Sequence, residues 1–465
     1  MLIAVDEAPH SALHSSSTLK EVVMARFQDQ FSAGLTAVVG SIFLAGCADD
    51  APTPLPSGTE DVADVSVAAE MGHPAFSAFD DLLQQEIDAG VRSGFVVMVN
   101  EGRKTIHQSA LGMADIENET PMTLDTRFRI ASMTKPVTTV ALMMLVEEGK
   151  VSLDDPVSDY IAGFATTPVA TDYTRNADGN FLTAPIETPM TIKQILTHTA
   201  GLGYLFDGET DLGKYYFENS LFVLDGNLGD RIDFLATLPL YEQPGEKWLY
   251  SYGTDVAGRI VEVASGTTLE DFFQTRIFEP LSMNDTLFVI EDEDLDGAAV
   301  VYSHNEAGTL VRSEGDGVNP NPNTTGLGWA SGGGGLVSTA ADYQKFCRML
   351  LNGGEANGSR LLKDQTVALM LGSHVPAAAR PADWLEQGIS FGLGGWVKLA
   401  NPADPADQST TGHFGWGGYL DTIFMISKED DFSYVLLAQR EPGPNDRPSD
   451  AQDRIRAISF EYLAQ

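Results

Sequence analysis

The stretch Phe128-Arg129-Ile130-Ala131-Ser132-Met133-Thr134-Lys135-Pro136 runs straight into a helical pattern that reaches Gly149, and it constrains the rest of the chain more than any other segment. Val137, Val140, Ala141, Met144 and Leu145 recur at the three-and-four spacing of an amphipathic helix, which predicts Ser132 at its N-terminal end and Lys135 one turn on. The two side chains then share a face. A serine hydroxyl is a weak nucleophile until a base takes its proton, and a lysine beside it is a candidate for that base. The spacing alone is also what a serine N-cap followed by a solvated lysine produces. Roughly 0.7 Ser-x-x-Lys matches arise by chance in a chain of this composition, and Ser17 to Lys20 is a second. The motif therefore needs company.

Composition narrows the partners. A formal charge of -38 over 465 residues argues strongly against nucleic acid or anionic membrane surfaces as partners, because binding phosphate needs basic patches. It keeps the chain soluble and points to a saline habitat. Cys47 and Cys347 are the only cysteines, too few for a disulfide framework or a cysteine-based metal site. Asp292-Glu293-Asp294-Leu295-Asp296-Gly297 imitates the first half of a calcium loop, but Ser303 stands at the twelfth position, where a bidentate glutamate is needed.

The text before the globular part changes at Met24. Arg26 opens a short polar start, an apolar run covers 31–44, and Leu44-Ala45-Gly46-Cys47 follows. That run is short for a membrane span and fits a signal-peptide core. It predicts a leader over 1–47 with lipidation at Cys47, then a disordered acidic linker over 48–72. The expected location is the bacterial cell envelope or periplasm, lipid-anchored, or the cytoplasm where the leader does not function.

Residues 73–465 read as one catalytic unit. A helix over 74–89, a hairpin begun at 94–99 and the nucleophile helix are followed by a mainly helical lobe over 151–324. Within that lobe, 192–198 is predicted helical with Gly201 as its C-cap and His198 as a helix-end contact. Tyr204 and Phe206 fall in an aromatic stretch that belongs to the core or a cleft. The segment 329–339, with Gly332 to Gly335, has no Gly-Lys-Ser/Thr after it, so backbone crowding behind a cleft explains it better than phosphate binding. Strands near 391–397, 413–419, 422–426 and 434–438 and a closing helix over 449–463 complete a sheet lobe formed by 73–150 and 325–465.

Four blocks in order now carry a resemblance. Ser132-x-x-Lys135 after Phe-Arg-Ile-Ala, Leu-Thr-His-Thr-Ala-Gly-Leu at 196–202, Tyr250-Ser251 leading to Asp255-Val256-x-Gly258, and Trp416-Gly417-Gly418 together resemble the serine β-lactamase and penicillin-binding-protein superfamily. The chain is most similar to the family VIII carboxylesterases, relatives of class C β-lactamases. The resemblance implies an α/β fold of the α+β type, with an antiparallel sheet flanked by helices, no cofactor and no metal. It implies Ser132 as the acylated nucleophile, Lys135 as its base partner and Tyr250 as proton relay. It places backbone N–H groups of Ser132 and Trp416 in an oxyanion hole, and Tyr252, His413, Gly415, Trp416 and Gly417 against substrate. Tyr252 stands where the lactamases have asparagine and His413 where they have lysine, which disfavours β-lactam hydrolysis. The implied activity is hydrolysis of short-chain carboxylic esters of a small molecule. A D-peptidase, a weak β-lactamase and a non-catalytic peptidoglycan-binding lipoprotein are the alternatives.

Overall fold

Alternating β-branched and aromatic residues build the sheet. The structure, a computed structural model, describes residues 74–315, 319, 322–404, 408–443 and 449–464. The predicted leader with Cys47 and the predicted linker lie outside the described residues. Helix α1 (Pro74–Asp88) precedes strands β1 (Gly94–Glu101), β2 (Lys104–Asp115) and β3 (Thr120–Pro121). Strand β4 (Phe128–Arg129) leads through a 3₁₀ turn, Ala131–Met133, into helix α2 (Thr134–Glu147). Helix α3 (Gly253–Ser265) follows in the middle of the chain, then β5 (Val337–Ser338) and α4 (Ala340–Leu351). The C-terminal part supplies β6 (Ile389–Phe391), β7 (Trp396–Leu399), β8 (Thr410–Gly418), β9 (Thr422–Ser427), β10 (Phe432–Leu437) and helix α5 (Ala451–Leu463).

The main sheet has the order β6-β7-β8-β9-β10-β1-β2-β3, and its paired strands run antiparallel. Its centre joins the two ends of the chain: Val96 lies opposite Leu437 and Val99 opposite Tyr434. Because successive side chains alternate faces, Phe95, Val97, Val99, Tyr434 and Leu436 pack under α1 and α5. Val96, Met98, Phe414, Phe424, Val435 and Leu437 face α2, α4 and the middle of the chain. This is the predicted antiparallel sheet flanked by helices.

Two local expectations change. Helix α2 is not a half-exposed amphipathic helix, since every residue from Thr134 to Leu145 is buried. Its polar members are accommodated by hydrogen bonds: Thr138 Oγ1 donates to Gly332 O at 2.6 Å and Thr139 Oγ1 to Lys135 O at 2.9 Å. The helix predicted over 192–198 stops earlier, as Ile192–Leu196 with a Thr191/Gln194 capping box. His198 itself takes the left-handed conformation, φ 55°, and Gly201 lies beyond the helix end. Glycine is required at 201 for another reason, because a Cβ there would sit 2.0 Å from the Glu242 carbonyl oxygen. The remainder of the middle segment is short helices, including Asp211–Glu218 and Leu228–Leu235, with two small hairpins.

Candidate active site

The nucleophile sits on a strained turn. Ala131, directly before Ser132, has φ 44°, a conformation that costs a non-glycine residue energy and is concentrated at functional sites. The turn is clamped from below by β8 and β9: Thr422 Oγ1 donates to Ile130 O at 3.1 Å. A Cβ on Gly418 would lie 2.4 Å from the same oxygen. Only glycine permits that approach.

Three sequence-predicted residues meet here. Tyr250 OH donates to Ser132 Oγ at 2.7 Å, and Lys135 Nζ donates to the same oxygen at 3.2 Å. Lys135 is fully buried. Its Nζ also donates to Gly333 O at 2.7 Å and lies 4.7 Å from the centre of the Tyr250 ring and 5.5 Å from that of Tyr204. A carbonyl and two aromatic faces thus surround the buried amine.

Asp255, at the start of α3, organises the glycine loop from below. Its Oδ1 accepts from Ser331 Oγ at 2.6 Å and from Gly333 N at 3.0 Å. The Gly333 peptide thus links Asp255 to Lys135. A Cβ on Gly333 would approach Asp255 Oδ2 to 2.3 Å, so the crowding expected of this glycine run is present. Burial pushes the Asp255 carboxyl above its ordinary range, partly opposed by the nearby Lys135 charge and by the two hydrogen bonds.

His198 is a wall of the site rather than a base. Its Nδ1 lies 3.0 Å from Ser251 Oγ, and its ring packs 4.8 Å from that of Tyr250 and 6.5 Å from Trp416. Burial, reinforced by the Lys135 charge, holds it well below the usual imidazole range. It is a neutral ring that fixes Tyr250.

Ser132 opens into a cleft bordered by Tyr204, Phe206, Phe222, Leu327, Tyr419 and Arg129. Several predicted substrate contacts are not on it. Tyr252 is 1% exposed and exchanges a 3.0 Å hydrogen bond with Ser220; it starts α3 from inside the core. His413 lies on the opposite face of β8, its ring 5.2 Å from Phe460 of α5. Alternation decides this, since Phe414 and Trp416 take the inner face. Gly415 is covered by Trp396, 2.8 Å from where its Cβ would be. Trp416 is fully buried against Tyr250 at 5.6 Å and Phe391 at 5.1 Å. Gly417 does not border the cleft either; Tyr419 and Leu420, just past the strand end, do. Sequence reading flagged Tyr204 and Phe206 but missed Phe222, Leu327, Tyr419 and Arg129. Only Arg129 carried a signal, being inside the nucleophile motif.

Comparisons with known proteins identify the family and the fold. A family model described as Beta-lactamase matches residues 79–458. The lovastatin esterase of Penicillium rubens is 32% identical over 386 residues, which cover 77% of this chain and 92% of that protein. Esterase EstB of Burkholderia gladioli is 29% identical over 390 residues, covering 80% and 91%. Among solved structures, EstCE1, a hydrolase with promiscuous acyltransferase activity, superposes with a TM-score of 0.66 at 26% identity, covering 83% of this chain and 98% of its own.

Proposed function

Because the chain belongs to the beta-lactamase family and is a serine hydrolase of that fold, we propose that it is a carboxylesterase acting on short-chain esters through an acyl-enzyme on Ser132. The observation that carries this reading is the convergence of Lys135 Nζ and Tyr250 OH on one oxygen, 3.2 and 2.7 Å away, at the base of an apolar cleft. The reactive form of the Lys135/Tyr250 pair is the one short of a proton, with a neutral lysine amine or a tyrosine phenolate, and as Ser132 Oγ attacks the ester carbon its proton passes to that pair. The pair returns that proton to the departing alkoxide, and the alcohol leaves. Water then attacks the acyl-enzyme with the same pair as base, releasing the acid and restoring Ser132. Backbone N–H groups at Ser132 and at the end of β8 receive the oxyanion. Tyr419 borders the cleft there, so it replaces Trp416 as the candidate for the second donor.

Ester rather than β-lactam cleavage is favoured by the inner face of β8. It presents Phe414 and Trp416, whereas the position expected to hold a lactam carboxylate, His413, faces α5. Two similar proteins named as esterases support the same choice. The test is a paired assay of purified protein on p-nitrophenyl butyrate and nitrocefin, with Ser132→Ala as control. Turnover of the butyrate that the control lacks is expected. Faster turnover of nitrocefin would replace this reading with a β-lactamase one.

A further inference from the structure

Arg129 is a partly buried cation for which the described residues supply no counter-charge. It ends β4 three positions before Ser132, and its backbone is fixed from both sides by Gln439: Arg129 N donates to Gln439 Oε1 at 2.7 Å, and Gln439 Nε2 donates to Arg129 O at 3.2 Å. Its guanidinium donates to two backbone carbonyls, from Nη1 to Ala299 O at 3.3 Å and from Nη2 to Thr324 O. Carbonyls satisfy hydrogen bonds but carry no net charge. Among the described residues no carboxylate pairs with this side chain, and burial alone lowers its pKa to about 10. The buried pair Arg92 and Arg440 shows the contrast, since both lie within 3 Å of the Asp421 carboxylate.

The cleft supplies the second observation. Arg129 lines it together with Ser132, and among the described residues no Asp, Glu, Lys or other charged side chain and no His lines it, the rest being aromatic, aliphatic or glycine apart from Asn319. A guanidinium has five N–H donors in a planar fork suited to a carboxylate. Two are engaged by carbonyls, and among the described residues no acceptor meets the other three. An apolar cleft whose cation beside the nucleophile has no counter-charge among the described residues complements an apolar ester that also bears one anion.

We propose that Arg129 forms a carboxylate-binding subsite of the Ser132 cleft, so that esters carrying a free carboxylate are preferred over their neutral counterparts. The substrate class rests on the ester-hydrolase reading above; the subsite itself does not. The carboxylate docks on Arg129 while the ester carbonyl lies at Ser132, and it contributes binding rather than a chemical step.

The experiment compares p-nitrophenyl hydrogen adipate with p-nitrophenyl methyl adipate, which share one acyl chain and differ in the distal charge, with spontaneous hydrolysis subtracted. The unaltered enzyme is expected to favour the acid in kcat/KM, chiefly through KM, by roughly ten- to a hundredfold, the span expected of a charged hydrogen bond. Arg129→Gln should abolish that preference and Arg129→Lys should retain part of it. Equal use of the two esters by the unaltered enzyme, or preference for the methyl ester, overturns the proposal without reference to any variant. Should neither ester be hydrolysed, the ester reading fails, and calorimetric titration of Ser132→Ala protein with monomethyl adipate decides the subsite separately. Binding that Ser132→Ala/Arg129→Gln loses upholds it, and binding that is absent or unchanged between the two overturns it.

Discussion

Tyr250 and Tyr252 are two positions apart and chemically identical, yet their phenols do different work. Tyr250 points to Ser132 Oγ at 2.7 Å, with His198 packed on its ring. Tyr252 is sealed in the core on Ser220, and burial pushes its phenol far above the usual range. Tyr250→Phe is therefore expected to lower kcat on p-nitrophenyl butyrate by about 100- to 10,000-fold while the protein stays folded. Tyr252→Phe should leave kcat close to normal and cost about 1 kcal/mol of stability, the net worth of one buried hydrogen bond. Steady-state kinetics and denaturant unfolding of the two variants separate these outcomes, and a kcat collapse confined to Tyr252→Phe would move the relay to that residue. Sequence placed Tyr250 correctly beside Ser132 because the motif blocks carried it. It misplaced Tyr252 because a tyrosine at a helix start reads the same whether its ring turns to a cleft or to the core.

Among the elements, β8 and the turn before α2 position the reaction jointly. Gly418 lets the strand end touch Ile130 O, and an added methyl would lie 2.2 Å from Thr422 Oγ1 and 2.4 Å from that carbonyl. Gly418→Ala should displace the Ser132 turn, reducing kcat by about 100-fold, since misplacement of order 1 Å has that cost. Normal kcat and an unshifted Tm in that variant would show that the contact is not needed. Strand β8 also shows what sequence can and cannot convey. Its existence was legible from residues 413–419, but the face on which His413 falls depends on register and on which layer covers each side. The motif suggested a substrate contact at His413; packing under α5 made it a wall of the outer layer. Helix α2 was legible in position and not in burial, because its threonines read as a polar face until Gly332 O and Lys135 O are known to accept from them. The cleft residues Phe222 and Leu327 come from separate loops that only the folded chain brings to Ser132.

At the scale of the whole molecule, sixty-six acidic against twenty-eight basic side chains leave the surface repelling itself. Added salt shortens the range of that repulsion to about 3 Å at 1 M, so Tm should hold or rise from low salt to molar NaCl. A steady fall in Tm over that range would contradict it. The three layers matter to function because they fix a buried lysine, a phenol and a serine at one point where water has limited access. Everything in the functional account depends on Ser132 being the atom that accepts the acyl group. The most direct test is rapid mixing with p-nitrophenyl butyrate, acid quench and peptide mass spectrometry, run beside Tyr250→Phe to slow turnover. The account predicts one butyryl group on the peptide containing Ser132 and none in Ser132→Ala. A butyryl group on any other peptide, or undiminished hydrolysis by Ser132→Ala, would contradict it.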